Sequence, residues 1–555
     1  MSRPWLASFP AGVPAAAEPA QPDALSLFRA AVAAGAADDA VRYFDRRLDY
    51  AELDRLSDAL AVSLLRRGFQ VGDRLAVYLQ NMPHFLIATL AAWKAGGIVV
   101  TINPMNREYE LGTLLADAKP RVLVCLESLH DGVVSRLPAE SVPPVVLTVG
   151  VRDMQGRNDP RIFPAGAPDG DAAAPPETDF QFAIATSGGE RPPIRAPRPT
   201  DVACIVYTSG TTGLPKGARI THANLVQVSA AHEAWYGLAR GTPILAAAPL
   251  FHITGLAGHM VLAWALAAPL VLCHRFDPGV VLDAIAEHRP RYTANAITAY
   301  IALMNQPGVD RARLASLAIV TSGGAPVPPS VARQVKEKLG WPVLNGYGLT
   351  ETSSGVVIMP VGSEGRVDPV SGALSIGVPI CGVDAWIEGE GGVRLGHDEI
   401  GEIVLGGPMV ADGYWRKPAE TAECMRPDGF RTGDVGFMDA GGWFYVVDRK
   451  KDMINASGYK VWPREVEDVL YAHPAVREAA VVGVGDEYRG ETVKAVVSLR
   501  EGSKADRDEL VTWCRERLAA YKVPRIVEFV EELPKNATGK VLRRVLRERR
   551  TGQGA

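Results

Sequence analysis

Short apolar runs, each the length of one buried strand, alternate with amphipathic stretches along most of this chain. Over residues 40–125, the runs at 75–78, 98–102 and 122–125 predict strands, and the patterns at 50–67 and 85–94 predict helices between them. Alternation of this kind points to parallel α/β architecture. It resumes after Asp201, with strands expected at 203–207, 269–273 and 317–322 and helices at 280–288 and 331–339. At ~150 residues per domain, a chain of 555 residues is more than one compact core. Its 47% apolar and 22% charged residues are ordinary globular material, which excludes a collagen, a coiled coil or a disordered chain. A formal charge of −4 gives no reason to expect nucleic acid as a partner.

The character shifts near the C-terminus. The charged stretch from Asp448 through Lys451 to Asp452 reads as a break, dividing the chain into a large unit, 1–447, and a small α/β unit, 448–555. In the small unit Pro463 opens a helix at its favoured first position, with Val466, Val469 and Leu470 on one face. Strands are expected at 477–485 and 492–499, then a helix turning Leu510, Val511, Cys514 and Leu518 inward, and a solvated basic helix at 541–549. Residues 1–22, rich in Ala and Pro, read as a floppy terminus rather than a signal peptide, and 151–200 as an exposed excursion. Residues 241–274 contain no Asp, Glu, Lys or Arg. Their prolines, at 243, 249 and 269, would free backbone groups that lipid cannot satisfy, so they are expected to build a buried pocket rather than a transmembrane helix. Six cysteines without a C-x-x-C pair exclude a zinc ribbon or a dithiol centre and fit a reducing, cytoplasmic compartment.

The densest chemical signal runs from Ile205 to Gly217. A strand enters a loop holding Thr208, Ser209, Gly210, Thr211, Thr212, Gly213 and Lys216. Glycines let backbone N–H groups converge on an anion, hydroxyls donate to phosphate oxygens, and the lysine adds a mobile charge. The spacing is not that of a Walker loop, because two residues separate Gly213 from Lys216 and a glycine follows. Further along stand Pro249-Leu250-Phe251-His252, Gly323-Gly324-Ala325-Pro326, Gly346-Tyr347-Gly348-Leu349-Thr350-Glu351, Arg431-Thr432-Gly433-Asp434, Asp448-Arg449-Lys450-Lys451 and a Pro534-Lys535-Asn536 turn ending in Gly539-Lys540. Singly, His252 would read as a structural imidazole, Tyr347 as core and Asp434 as a turn cap.

In this order, from near Tyr43 to Arg547, the motifs resemble the adenylate-forming superfamily of acyl-CoA synthetases, adenylation domains and firefly luciferase. Asp452-Met453-Ile454 and the stretch from Gly458 to Glu467 lie closest to medium- and long-chain fatty-acid–CoA ligases. The resemblance implies a large N-terminal domain of stacked mixed α/β sheets with a small β-barrel-like part, and a small mobile C-terminal α/β domain. It implies ATP, Mg2+ and coenzyme A as cofactor and co-substrates, and a small-molecule carboxylic acid as the partner.

It also implies roles. The loop Thr208–Lys216 would hold the β- and γ-phosphates, with Thr350 at the α-phosphate and Glu351 on Mg2+. Tyr347, between Gly346 and Gly348, would stack on adenine, opposite a thin wall of Gly324, Ala325 and Pro326. Asp434 and Arg449 would bind the ribose. His252 would line the acyl pocket, and Lys540 would bridge the acid and the α-phosphate. Lys451 would be the hinge, and Ser457, Gly458, Tyr459 and Lys460 the coenzyme A passage. Amino-acid-activating relatives carry an aspartate where His252 stands, and the uncharged 241–274 segment offers no counter-ion, so an amino-acid substrate is not expected. A medium- or long-chain fatty acid is the expected substrate. An aryl acid, or acyl transfer to a carrier protein, remains the alternative; a homodimer and peripheral contact with lipid stay open.

Overall fold

The computed structural model describes residues 3–163, 178–187, 189–208, 215–369, 372–449, 452–456, 459–486, 490–536 and 540–548. The expected strands at the start of the chain form a six-stranded sheet. Its order is Val145–Val149, Val122–Leu126, Arg74–Tyr78, Ile98–Thr101, Val202–Thr208 and Lys216–Thr221, parallel except for the last. A second sheet of nine strands has a parallel centre made of Ile319–Ser322, Tyr292–Asn295, Ile244–Ala246, Leu270–Leu272 and Asp39–Tyr43. Val343–Leu349 joins that centre in parallel and then pairs antiparallel with Ser354–Ile358. The expected helices are Tyr50–Arg66 and Pro83–Lys94, and every residue of the latter is buried. A helix apolar on all sides must be enclosed by protein on all sides. Residues of both sheets and these helices share one hydrophobic core.

A third, antiparallel sheet carries Asp384–Glu388, Gly401–Gly406, Gly429–Met438 and Met425–Arg426, and Phe444–Arg449 also pairs with Gly429–Met438. Register shifts at Glu402/Val404 and Val435/Gly436 curl it, since an extra residue on one strand bends the ladder. Phe444–Arg449 carries this sheet two residues past position 447. The C-terminal unit has its own core, with Val466, Leu470, Val481, Val497, Leu510 and Cys514 buried together. Its helix starts at Pro463 and spans Pro463–Tyr471 against the long hairpin of Val476–Asp486 and Gly490–Leu499. Arg507–Arg515 ends before Leu518, which packs from the following turn.

Three expectations are overturned. The N-terminus is not floppy: Trp5, in the turn Pro4–Ser8, is 2% exposed against Phe444, and Arg3 makes a bidentate ion pair with Asp384. One large indole among many alanines is enough to dock the segment. Within 151–200, Ile162 and Phe163 are buried, and Phe180–Ala185 is a helix that buries Phe180. The terminal basic helix, Arg543–Glu548, is not a wholly solvated face. Arg543 pairs with Asp452 and Glu467, Arg547 pairs with Asp452, and Leu546 is buried.

The uncharged segment packs into the large hydrophobic core. It is buried, it winds through Leu256–Val261 as a π-helix, and no helix among the described residues is long and apolar enough to cross a membrane. All six cysteines are free.

Candidate active site

The strand Val202–Thr208 turns back as Lys216–Thr221, so Thr208 and Lys216 face each other across the hairpin and Thr208 Oγ1 donates to the Lys216 carbonyl at 3.3 Å. Ser209, Gly210, Thr211, Thr212 and Gly213 lie outside the described residues. The Lys216 ammonium sits 5.2 Å from the centre of the Tyr414 ring, within cation–π range.

Val343–Leu349 delivers Gly346, Tyr347 and Gly348 and passes into the turn Thr350–Thr352. The backbone there is crowded: a Cβ on Gly348 would lie 2.0 Å from the Ser354 carbonyl oxygen, and one on Gly323 would lie 2.9 Å from that of Gly346. Gly324 needs its glycine for a φ of +74°, while Ala325 and Pro326 follow in the same turn. Ser353 (φ 59°) and Ser354 (φ 144°) hold left-handed backbone without being glycine. Strain of this kind persists only where neighbours over-determine it, and Ser353 Oγ is tied to the Met409 carbonyl at 2.8 Å. The turn thereby fixes Thr350 and Glu351, both nearly buried.

Glu351 Oε1 accepts from the Tyr414 hydroxyl at 2.6 Å. No described basic side chain pairs with Glu351, so its second oxygen is available to a hard cation. Among the described residues no group of three or more His, Cys, Asp or Glu could hold a metal. A single carboxylate fits Mg2+, which keeps several waters and takes its other ligands from substrate phosphates.

Asp434, in Gly429–Met438, is 5% exposed and accepts from the Tyr347 hydroxyl at 2.6 Å. Its own N–H is turned onto Thr432 Oγ1 at 3.1 Å. Arg449 lies directly opposite Asp434 in the ladder, though its side chain is not among those described. The Tyr347–Asp434 bond joins the second sheet to the third, so residues from motifs far apart in sequence border one space.

His252 caps the helix that opens the uncharged segment: its Nδ1 accepts from the Thr254 N–H at 3.3 Å, so the proton of the neutral ring is on Nε2. Burial, and after it the charge of Lys540, push its pKa down to about 4. Lys540 N–H donates to Asn536 Oδ1 at 2.9 Å, and its carbonyl accepts from Asn536 N at 2.8 Å. Arg464 Nη1 on the Val446 carbonyl (2.8 Å) and Arg500 Nη2 on Gln334 Oε1 (3.2 Å) hold the two units together.

The remaining sequence candidates are less informative. Lys451, Ser457 and Gly458 lie outside the described residues, while Tyr459 and Lys460 contribute only a backbone hairpin opposite Ala456 and Asn455. Sequence reasoning missed Tyr414. It lies outside every motif read from the sequence, yet Ala411 N–H donates to the Glu351 carbonyl at 2.8 Å and Tyr414 to its carboxylate. A tyrosine between Gly413 and Trp415 carries no chemical signature; the one available cue was a run of nearly uncharged residues tied to no predicted element.

A two-unit α/β chain with Gly-Tyr-Gly-Leu-Thr-Glu, an aspartate bonded to its tyrosine and a C-terminal lysine defines a class of enzyme that activates a substrate with a nucleotide. Residues 28–415 match the AMP-binding enzyme family and residues 465–540 the AMP-binding enzyme C-terminal domain, and the chain belongs to this family. It is 37% identical to a long-chain-fatty-acid–CoA ligase of Bacillus subtilis over 562 aligned residues, which cover 99% of this chain and 98% of that one. It is also 37% identical to a feruloyl-CoA synthase of an Amycolatopsis species, covering 92% of this chain and 95% of the relative. Among solved structures, the ATP-bound MatB of Rhodopseudomonas palustris superposes with a TM-score of 0.82 at 30% identity, covering 95% of this chain and 98% of that one.

Proposed function

We propose that the chain is an ATP-dependent acid–CoA ligase. The substrate carboxylate attacks the α-phosphorus of ATP, the bond to the β-phosphate oxygen breaks, and pyrophosphate leaves. The coenzyme A thiolate then attacks the acyl carbonyl, and AMP leaves with the electron pair of the anhydride bond. No protein nucleophile is needed. The work is to bring anions together and to stabilise charge as it develops.

The observation that carries this reading is the cluster in which the Tyr414 hydroxyl meets Glu351 and its ring meets Lys216, together with the Tyr347–Asp434 hydrogen bond that joins the second sheet to the third. Lys540 bridges carboxylate and α-phosphate, a task suited to a point charge on a flexible stem. Thr350 donates to the α-phosphate, Thr208 through Lys216 hold the β- and γ-phosphates, and Asp434 with Arg449 accepts and clamps the ribose. Tyr347 stacks on adenine, with the Gly324, Ala325 and Pro326 turn opposite. Glu351 holds Mg2+, which neutralises phosphate charge when bound. After adenylation, the unit 448–555 turns about Lys451, withdraws Lys540 and brings the stretch of Ser457, Gly458, Tyr459 and Lys460 to the acyl-adenylate.

The acid is a medium- or long-chain fatty acid, supported by the Bacillus subtilis relative and by the uncharged wall from 241 to 274. An aryl acid is the second reading, supported by the feruloyl-CoA synthase at equal identity. Pyrophosphate release with acids from acetate to palmitate, plus benzoate and coumarate, separates the two. Turnover confined to acids with long alkyl chains supports the first, and turnover confined to ring acids the second.

A further inference from the structure

Tyr414 touches two residues of the candidate site, Glu351 and Lys216. Its hydroxyl donates to Glu351 Oε1 at 2.6 Å and lies 3.9 Å from the Cys424 thiol, while its ring seats the Lys216 ammonium at 5.2 Å. The backbone holds it on both sides. Tyr414 bridges to Ala218, and Trp415 N–H donates to the Gly217 carbonyl at 2.7 Å, so the residue rides on the strand that carries Lys216. Ala411 N–H donates to the Glu351 carbonyl at 2.8 Å, which ties the same segment to the turn carrying the glutamate. Tyr414 N–H is satisfied by Thr421 Oγ1 at 2.9 Å, so the ring stands on a fixed backbone.

A free glutamate and a free lysine would each lose rotational freedom when a nucleotide–cation complex binds. A hydroxyl on one carboxylate oxygen leaves the other presented, as outer partners orient metal ligands generally. An aromatic face under the ammonium restricts the lysine in the same way.

We propose that Tyr414 is a positioning residue that sets the cation-binding carboxylate and the phosphate-binding lysine in one geometry before nucleotide arrives. This rests on the reading of Glu351 as the cation's ligand. The test uses the full chain with a non-hydrolysable ATP analogue, and Mn2+ binding is followed by electron paramagnetic resonance in Tyr414→Phe, Tyr414→Leu, Glu351→Gln and the Tyr414→Phe/Glu351→Gln pair. Losing a hydrogen bond to a charged group is expected to weaken Mn2+ about tenfold in Tyr414→Phe. The nucleotide KM of that variant at saturating Mg2+ should stay near the parent value. Tyr414→Leu should add a severalfold rise in the KM for ATP, because Lys216 loses its seat. The pair should bind Mn2+ no worse than Glu351→Gln alone, since both act through one carboxylate. If Glu351→Gln weakens Mn2+ and Tyr414→Phe does not, the positioning role is overturned, as it is if Tyr414→Phe lowers only the melting temperature. If Glu351→Gln itself leaves Mn2+ binding unchanged, the reading of Glu351 fails first and takes this role with it.

Discussion

Lys540 and His252 come from different units, and the roles proposed for them are measurable on single side chains. Lys540→Ala is expected to keep ATP binding within a few fold while pyrophosphate release falls ~100- to 1,000-fold, the usual cost of removing one preorganised charge from a transition state. Thioester formation from supplied acyl-AMP should be largely spared, and an equal loss in both steps would contradict the role. The same variant removes one of the two causes that depress His252, so its pKa should rise from about 4 toward the ordinary histidine value. Proton NMR of labelled imidazole reads this directly, and an unmoved His252 would mean that Lys540 does not face it. These residues were legible in the sequence because each stands in a motif whose neighbours constrain it. Tyr414 was not, because its role comes from a partner 63 positions away in the chain, Glu351, and hydroxyl-to-carboxylate pairing leaves no local pattern.

Lys451 lies between the end of Phe444–Arg449 and the first described residue of the small unit, Asp452. Lys451→Pro, which locks φ, is expected to retain pyrophosphate release and lose thioester formation, as a chain held in one orientation would. Stopped-flow assays of the two half-reactions test it, and parallel loss of both would exclude the hinge. At the opposite end, the turn Pro4–Ser8 inserts Trp5 between Gly442 and Phe444; Trp5→Ala should cost ~3 kcal/mol of stability, readable by urea denaturation. A change within 0.5 kcal/mol would mean that the segment is only laid on the surface. The strands and helices of both units could be read from periodicity, since a buried strand or a one-sided helix imposes its own spacing. The N-terminal docking and the pairing of Arg543 and Arg547 with Asp452 and Glu467 could not. Composition reports that a segment is alanine-rich or basic, but not what tertiary partner awaits one tryptophan or two arginines.

The assembled molecule buries more imidazoles than its chemistry uses. Burial lowers the pKa to about 3 for His84, His259 and His274 and to about 4 for His222 and His232. Unfolded, each binds its proton near pH 6.5; folded, it does so only near pH 3 to 4. Between those limits the unfolded chain holds more protons, so this stability is complete above ~6.5 and drains as pH falls, at up to about 1.4 kcal/mol per pH unit for each group. Asp468, raised by burial to about 7, works in the opposite sense together with Glu127, Asp153 and Glu233, but these four are outnumbered among the described residues once His252 and His288 join the lowered histidines. Urea midpoints are therefore expected to fall steadily from pH 6.5 to 5, and a level or rising midpoint would contradict these burials. The order of strands within the sheets was beyond sequence reading, because alternation states that strands are parallel without saying which are neighbours; Val202–Thr208 pairs with Ile98–Thr101 across an interval that contains two further strands.

What the whole arrangement claims is that this molecule joins an acid to AMP before it joins it to a thiol. The direct measurement is release of pyrophosphate and AMP from ATP with palmitate or coumarate present or absent, each with and without coenzyme A. The account predicts acid-dependent pyrophosphate, limited to about one equivalent per enzyme without coenzyme A and sustained together with AMP once it is added. Nucleotide cleavage indifferent to the acid, or yielding ADP and phosphate, would contradict it.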